Sequence, residues 1–183
     1  MKMKNESANH IIETENLQLI ACEAIHFEAF LRDKKELEPI LSVSVPDSWP
    51  VFPDSIPQGY NFFKTNPDSV GWMTYLFIHA KDRMLIGEGG YKGKPDKEGM
   101  VEIGYAIVPE YRRRGLAYEA AKAFTTRAFS HPEVKIVQAH TLKDGNASMR
   151  VLEKLGMKLV GTAHDPDEGE VLQWRMERKD YIL

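Results

Sequence analysis

The densest run of residues able to do chemistry is Tyr111-Arg112-Arg113-Arg114-Gly115-Leu116-Ala117, in which three guanidinium groups precede a glycine and a small residue. It follows an alternating segment that ends at Pro109. It leads into Ala117, Ala120, Ala121, Phe124 and Ala128, whose helical recurrence predicts a helix over 115–129. The first turn of such a helix has backbone N–H groups without intrahelical acceptors and a partial positive charge, which together make an anion site. Gly115 and Ala117 lack bulk and let a phosphate approach the main chain, while Arg112, Arg113 and Arg114 add charge around it. Arginine-rich turns also serve as plain solvated caps, so the turn alone does not choose between the two. No G-K-[ST] follows, as a nucleotide-hydrolysing P-loop requires, and no G-x-G-x-x-G supports dinucleotide binding.

The segment before the turn, 100–108, alternates as a strand. Val101, Ile103, Tyr105 and Ile107 share one face, and Glu102, Gly104, Ala106 and Val108 the other. Glu102 therefore stands among small residues, where a ligand has room. Glu88 in Leu85-Ile86-Gly87-Glu88-Gly89-Gly90 is a second carboxylate on the preceding strand. Glu102 also fits an ordinary surface ion pair. His140 reads as a packing residue, and nothing marks Cys22 as a nucleophile.

The elements that must position these residues are legible around them. Strands are predicted at 17–22, 72–79, 84–91, 100–108, 134–141, 158–163 and 170–178. Helices are predicted from Ala24 through Phe27, Phe30, Leu31 and Leu37, around Ile56, Tyr60 and Phe63, and over 115–129 and 148–155, the last ended by Gly156. Asp144 and Asn146 are candidate caps for that last helix. The order β-α-α-β-β-β-α-β-α-β-β describes a meander followed by a strand–helix–strand unit, hence an α/β fold with a mixed sheet. Trp49, Phe52, Tyr60 and Phe63 sit among prolines as either a lid or simple packing.

The chain has 183 residues, 43% hydrophobic and 28% charged, which suits one globular domain over 1–183. A net charge of −3 gives no bulk attraction to nucleic acid or anionic membrane. One cysteine allows neither an intramolecular disulfide nor a cysteine-based zinc site, and no metal is expected. The polar N-terminus and the absence of a long apolar run point to the cytoplasm.

Arg112, Gly115 and Ala117 fit the coenzyme A signature [QR]-x-x-G-x-[GA], and the chain resembles the GNAT superfamily of N-acetyltransferases. EIGYAIVPEYRRRGLAYEA and NASMRVLEKLGMKLVG, at their observed spacing, are similar to the RimJ/RimL-like branch. The resemblance covers about 72–178. It implies a mostly antiparallel mixed sheet with helices on both faces and with its fourth and fifth strands, here 100–108 and 134–141, splayed apart. Acetyl-CoA is then the acetyl donor. Its pantetheine arm would lie along Ile107 and Val108, with the Val108 N–H able to polarise the thioester. Its pyrophosphate would lie on the N–H groups of Arg113, Arg114, Gly115, Leu116 and Ala117. Glu102 is the preferred general base, with Glu88 next.

Two departures from the branch stand out. Gly145 takes the place of the usual asparagine, so Asn146 either binds coenzyme A from a shifted position or only caps a helix. Leu152 occupies the place of the tyrosine acid found in many members; Ser148 and solvent are alternative proton sources. The acceptor implied is an amine, either a protein N-terminus or a small molecule, attacked directly in a ternary complex. The rival reading is a non-catalytic coenzyme A-binding sensor. No nucleic-acid or membrane partner is expected, and the chain acts as a monomer or homodimer.

Overall fold

The computed structural model describes residues 10–144 and 147–181. Its strands are hydrogen-bonded in the order β1-β2-β3-β4-β5-β6-β8-β7. They are β1 (Ile11–Glu13), β2 (Leu17–Ala21), β3 (Thr74–His79), β4 (Met84–Tyr91), β5 (Met100–Ile107), β6 (Ile136–Thr141), β7 (Lys158–Asp165) and β8 (Gly169–Glu177). The helices are α1 (Ala24–Arg32), α2 (Leu37–Leu41), α3 (Ser55–Thr65), α4 (Leu116–Ser130) and α5 (Ala147–Leu155). β5 and β6 run parallel, whereas β1–β2, β2–β3, β3–β4, β6–β8 and β7–β8 are antiparallel. A parallel pair needs a crossover, which α4 supplies between β5 and β6. The mixed, mostly antiparallel α/β sheet expected from the sequence is the one observed. No helix among the described residues is long and apolar enough to cross a membrane.

The chain divides into two compact units: one of residues up to Gly90 with Tyr105–Leu116, the other of Tyr91–Gly104 with the residues from Ala117 onward. In the first, β2 buries Leu17, Leu19 and Ala21 on alternate positions, as a strand with one packed face must. β3 is interior on both faces, with Tyr75, Leu76, Phe77 and Ile78 all at most 1% exposed. The helix starting at Ala24 is shorter than its spacing predicts. Asp33 turns extended at φ −162 and its carboxylate accepts the Lys35 N–H at 2.9 Å, so Leu37 begins a separate helix. Phe27 packs on the α3 rings Tyr60 and Phe63 at centroid distances of 5.5 and 5.6 Å, and Trp49 is fully buried against Phe30. Three of the four aromatics suspected of forming a lid are therefore packing residues; only Phe52 presents a largely exposed ring.

In the second unit, α4 buries Ala120, Ala121, Phe124 and Ala128 completely, the face that the alanine spacing predicts. α5 ends as expected at Gly156, left-handed at φ 92, with the Met157 N–H returning to the Leu152 carbonyl at 3.0 Å. β5 and β6 pair at Met100–Glu102 with Ile136–Gln138, and among the described residues they pair no further. That early end leaves Gly104 with no atom within 4 Å of where a Cβ would stand. β1 has no counterpart in the sequence reading, since three residues with mostly exposed side chains carry no periodic signal.

Candidate functional site

The basic turn follows β5 through a single 3-10 turn at Pro109–Tyr111. It is braced from several sides. The Val108 N–H donates to the Ile86 carbonyl at 2.8 Å, and the Tyr111 N–H to the Val108 carbonyl at 3.0 Å. Arg112 Nε donates to the Ile107 carbonyl at 2.8 Å, and Arg114 reaches the Glu110 carbonyl at 2.9 Å while lying over the Tyr111 ring. The Tyr111 hydroxyl donates to Asp82 at 2.8 Å, and the Ser48 hydroxyl to the Glu110 carboxylate at 3.0 Å.

Within this frame Arg113 has φ 61 and Gly115 φ 79, while Arg114 between them stays outside the left-handed region. Alternation of this kind turns successive N–H groups toward one concavity, a geometry that binds anions. The N–H groups of Arg113, Arg114 and Gly115 have no backbone acceptor among the described residues. Arg113 is the telling residue. A side chain held left-handed costs about 1–2 kcal/mol, a strain that collects at binding sites. A Cβ on Gly115 would meet nothing within 4 Å, so the glycine answers a conformational demand and the space above it is open.

Two expectations change. The Val108 N–H is committed to Ile86, so it is not a free donor for a thioester carbonyl. The Arg112 side chain is turned back onto the end of β5, where it braces the turn through Nε.

In the second unit, Glu102 is half-buried among polar partners. Its Oε1 lies 2.5 Å from Lys92 Nζ and 2.9 Å from His140 Nδ1, and its Oε2 accepts from Gln138 Nε2 at 3.3 Å. Gln138 in turn accepts from Arg175 Nε at 2.8 Å. Burial pushes the Glu102 carboxyl up, but hydrogen bonds and charge from Lys92, then His140, outweigh it and hold it below the usual carboxylate range. Glu102 is thus a firmly ionised carboxylate. His140, expected to be packing, is its polar partner. Lys92 and Gln138 went unrecognised in the sequence, although register offered a signal: Gln138 is the β6 residue directly opposite Glu102.

Glu88, in the first unit, is the opposite case. It is 3% exposed, its Oε1 accepts the Phe52 N–H at 2.9 Å, and its Oε2 is buried without a partner among the described residues. Burial raises its carboxyl to about 7, against the opposing pull of the Phe52 and Val51 N–H groups and the Trp49 indole. The strap that reaches it is itself fastened, since Trp49 Nε1 donates to the Gly87 carbonyl at 3.2 Å. Leu152 is fully buried, so the tyrosine position carries no acid. Cys22 is also fully buried and its thiol is pushed far up by that burial, which removes it as a nucleophile. Asn146 lies outside the described residues.

Comparison with known proteins bears on the family and the fold. The family model described as the acetyltransferase (GNAT) domain matches residues 24–158. An N-acetyltransferase of Bacillus subtilis (strain 168), YjdG, is 28% identical over 151 residues, covering 81% of this chain and 90% of the relative. A GNAT-family acetyltransferase structure from Bacillus anthracis matches with a TM-score of 0.63 at 22% identity, over 92% of this chain and 99% of that one. RimL, a ribosomal L7/L12 alpha-N-protein acetyltransferase solved in complex with coenzyme A, matches with a TM-score of 0.65 at 16% identity, over 93% and 99%. At these identities the two structures share the fold. With the family model spanning most of the chain, and the fold in agreement with it, the chain belongs to the GNAT family of acetyl-CoA-dependent N-acetyltransferases.

Proposed function

We propose that the chain moves the acetyl group of acetyl-CoA to a primary amine by direct attack within a ternary complex. The observation that carries this reading is the turn at Arg113–Gly115, whose left-handed residues leave N–H groups without a backbone acceptor among the described residues, beside a Gly115 whose Cβ position is open. The pyrophosphate sits on the N–H groups of Arg113, Arg114, Gly115, Leu116 and Ala117, with charge added by the arginines. Arg112 supports the site by bracing the turn. Ile107 and Val108 shape the pantetheine path, with the Ile107 carbonyl already accepting from Arg112 Nε and the Val108 N–H already donating to the Ile86 carbonyl.

Glu102 was the expected base. Its low proton affinity and its contacts with Lys92 and His140 favour a role in holding those two side chains over unaided proton transfer. The acceptor class is an amine, with a protein N-terminus and a small molecule both fitting. The likeness to RimL leans toward the protein N-terminus. Titration calorimetry with acetyl-CoA and with S-acetylpantetheine, which lacks the phosphates, tests the reading. Acetyl-CoA should bind at least a hundredfold more tightly; equal binding would remove the phosphate cradle from the account.

A further inference from the structure

We infer that Glu88 receives the acceptor amine, its buried Oε2 taking a hydrogen bond and then a proton from the attacking nitrogen. The inference deepens the acetyl-transfer reading and rests on it. Buried carboxylate oxygens are normally satisfied, and one without a partner calls for an explanation. Glu88 Oε2 is such an atom, on a residue 3% exposed. The other oxygen is fixed by the Phe52 N–H at 2.9 Å, so the side chain cannot simply turn to find a partner without losing that bond.

Register gives the orphan oxygen a place. The bond from the Val108 N–H to the Ile86 carbonyl sets the antiparallel register in which Glu88 lies opposite Ala106. The same strand end continues directly into the anion-binding turn at Arg113–Gly115, within the same compact unit. Glu88 therefore stands beside the strand along which the thioester arm must enter, next to a side chain no larger than a methyl group. Gly87 fits this arrangement as well: a Cβ there would stand 2.2 Å from the Ala106 carbonyl, so only glycine lets the two strands approach so closely beside the carboxylate.

The groups facing Glu88 carry no charge. Its partner on β3 is Leu76, the strap offers Trp49, Val51 and Phe52, and no charged side chain contributes to its shift. The carboxyl is thus tuned by burial to about 7, where it is deprotonated often enough to act and basic enough to accept. In the step, the amine nitrogen bonds to the thioester carbon and the C–S bond breaks. The electron pair leaves on the thiolate, and the amine proton passes to Glu88 Oε2. Solvent then takes that proton from the carboxyl and supplies one to the thiolate, which restores the ionised carboxylate and yields the thiol.

The test is the pH profile of kcat/KM between pH 5 and 9 for the parent, Glu88→Gln and Glu88→Asp, with the best amine from a panel. The parent should show an acidic limb near pH 7. Glu88→Gln should bind acetyl-CoA as the parent does, lose roughly 10² to 10⁴ in turnover and lose the limb, while Glu88→Asp should keep a limb at reduced turnover. A Glu88→Gln variant within threefold of the parent, or one that keeps the limb, overturns the inference while leaving acetyl transfer intact. No amine-dependent turnover in the parent overturns both. If Glu88→Gln does not fold, the carboxyl of Glu88 is followed in the parent by carbon-detected NMR; titration below pH 5 overturns the inference, and titration near 7 upholds it.

Discussion

Gly115→Ala separates a phosphate cradle from a merely solvated turn. At φ 79 an alanine is held in the left-handed region, which costs about 1–2 kcal/mol. Part of that is offset because alanine narrows the unfolded ensemble by about 0.4–1 kcal/mol. The added Cβ meets nothing within 4 Å, so the net loss, about 1 kcal/mol, is conformational and not steric. For a chain of this size that lowers Tm by roughly 2–4 °C. The larger effect falls on binding. If the alanine relieves its strain, the N–H groups of Arg113–Gly115 cease to converge, and one charge-assisted bond to phosphate is worth about 1.5–3 kcal/mol, or roughly 10- to 150-fold in Kd. Calorimetry with coenzyme A and thermal melts read the two effects separately. Gly104→Ala is the stability control, because its Cβ also meets nothing and its φ is not left-handed. Coenzyme A binding by Gly115→Ala as tight as by the parent would refute the cradle.

Arg113→Gly removes a left-handed side chain, so it should leave Tm within a few degrees of the parent while weakening coenzyme A binding modestly and mostly at low salt, as a lost exposed charge does; loss of all binding at physiological salt contradicts a backbone-dominated site. The raised carboxyl of Glu88 opposes folding once it ionises: its contribution is harmless below about pH 4.5 and grows into a penalty as pH rises toward and past 7. The shift amounts to about 3 kcal/mol at most, so Glu88→Gln should melt several degrees above the parent at pH 8.5 and close to it at pH 5. Glu102 has the reverse sign: its depressed carboxyl stabilises above the usual carboxylate range and loses that contribution as pH falls below it. Glu102→Gln should therefore lower Tm near pH 7 more than near pH 3, and it should reduce turnover while keeping the acidic limb near 7.

What the sequence made legible was what periodicity encodes. β4 appears at the residues predicted, α4 buries the alanines its spacing selected, and Gly156 ends α5. The turn was legible because Arg112, Gly115 and Ala117 form a local pattern. Its conformation was not, since nothing in three consecutive arginines says that the middle one is left-handed. The two carboxylates show the other limit. Alternation placed Glu102 on the open face of β5, but its chemistry is set by Lys92, ten residues earlier, and by His140 on another strand. The tuning of Glu88 comes from the strap at Trp49–Phe52, thirty-six residues upstream of it in the case of the Phe52 donor. Proton affinity depends on neighbours that sequence spacing does not reveal.

Acetyl transfer itself is tested most directly by product balance on the parent protein. Acetyl-CoA is mixed with a panel of peptides bearing free N-termini and of small primary amines, free thiol is read continuously, and the N-acetyl product is weighed by mass spectrometry. The account predicts thiol release that depends on one class of amine and matches the acetylated product one to one. Thiol release without any acetylated amine, or tight acetyl-CoA binding with no amine-dependent release across the panel, would contradict it.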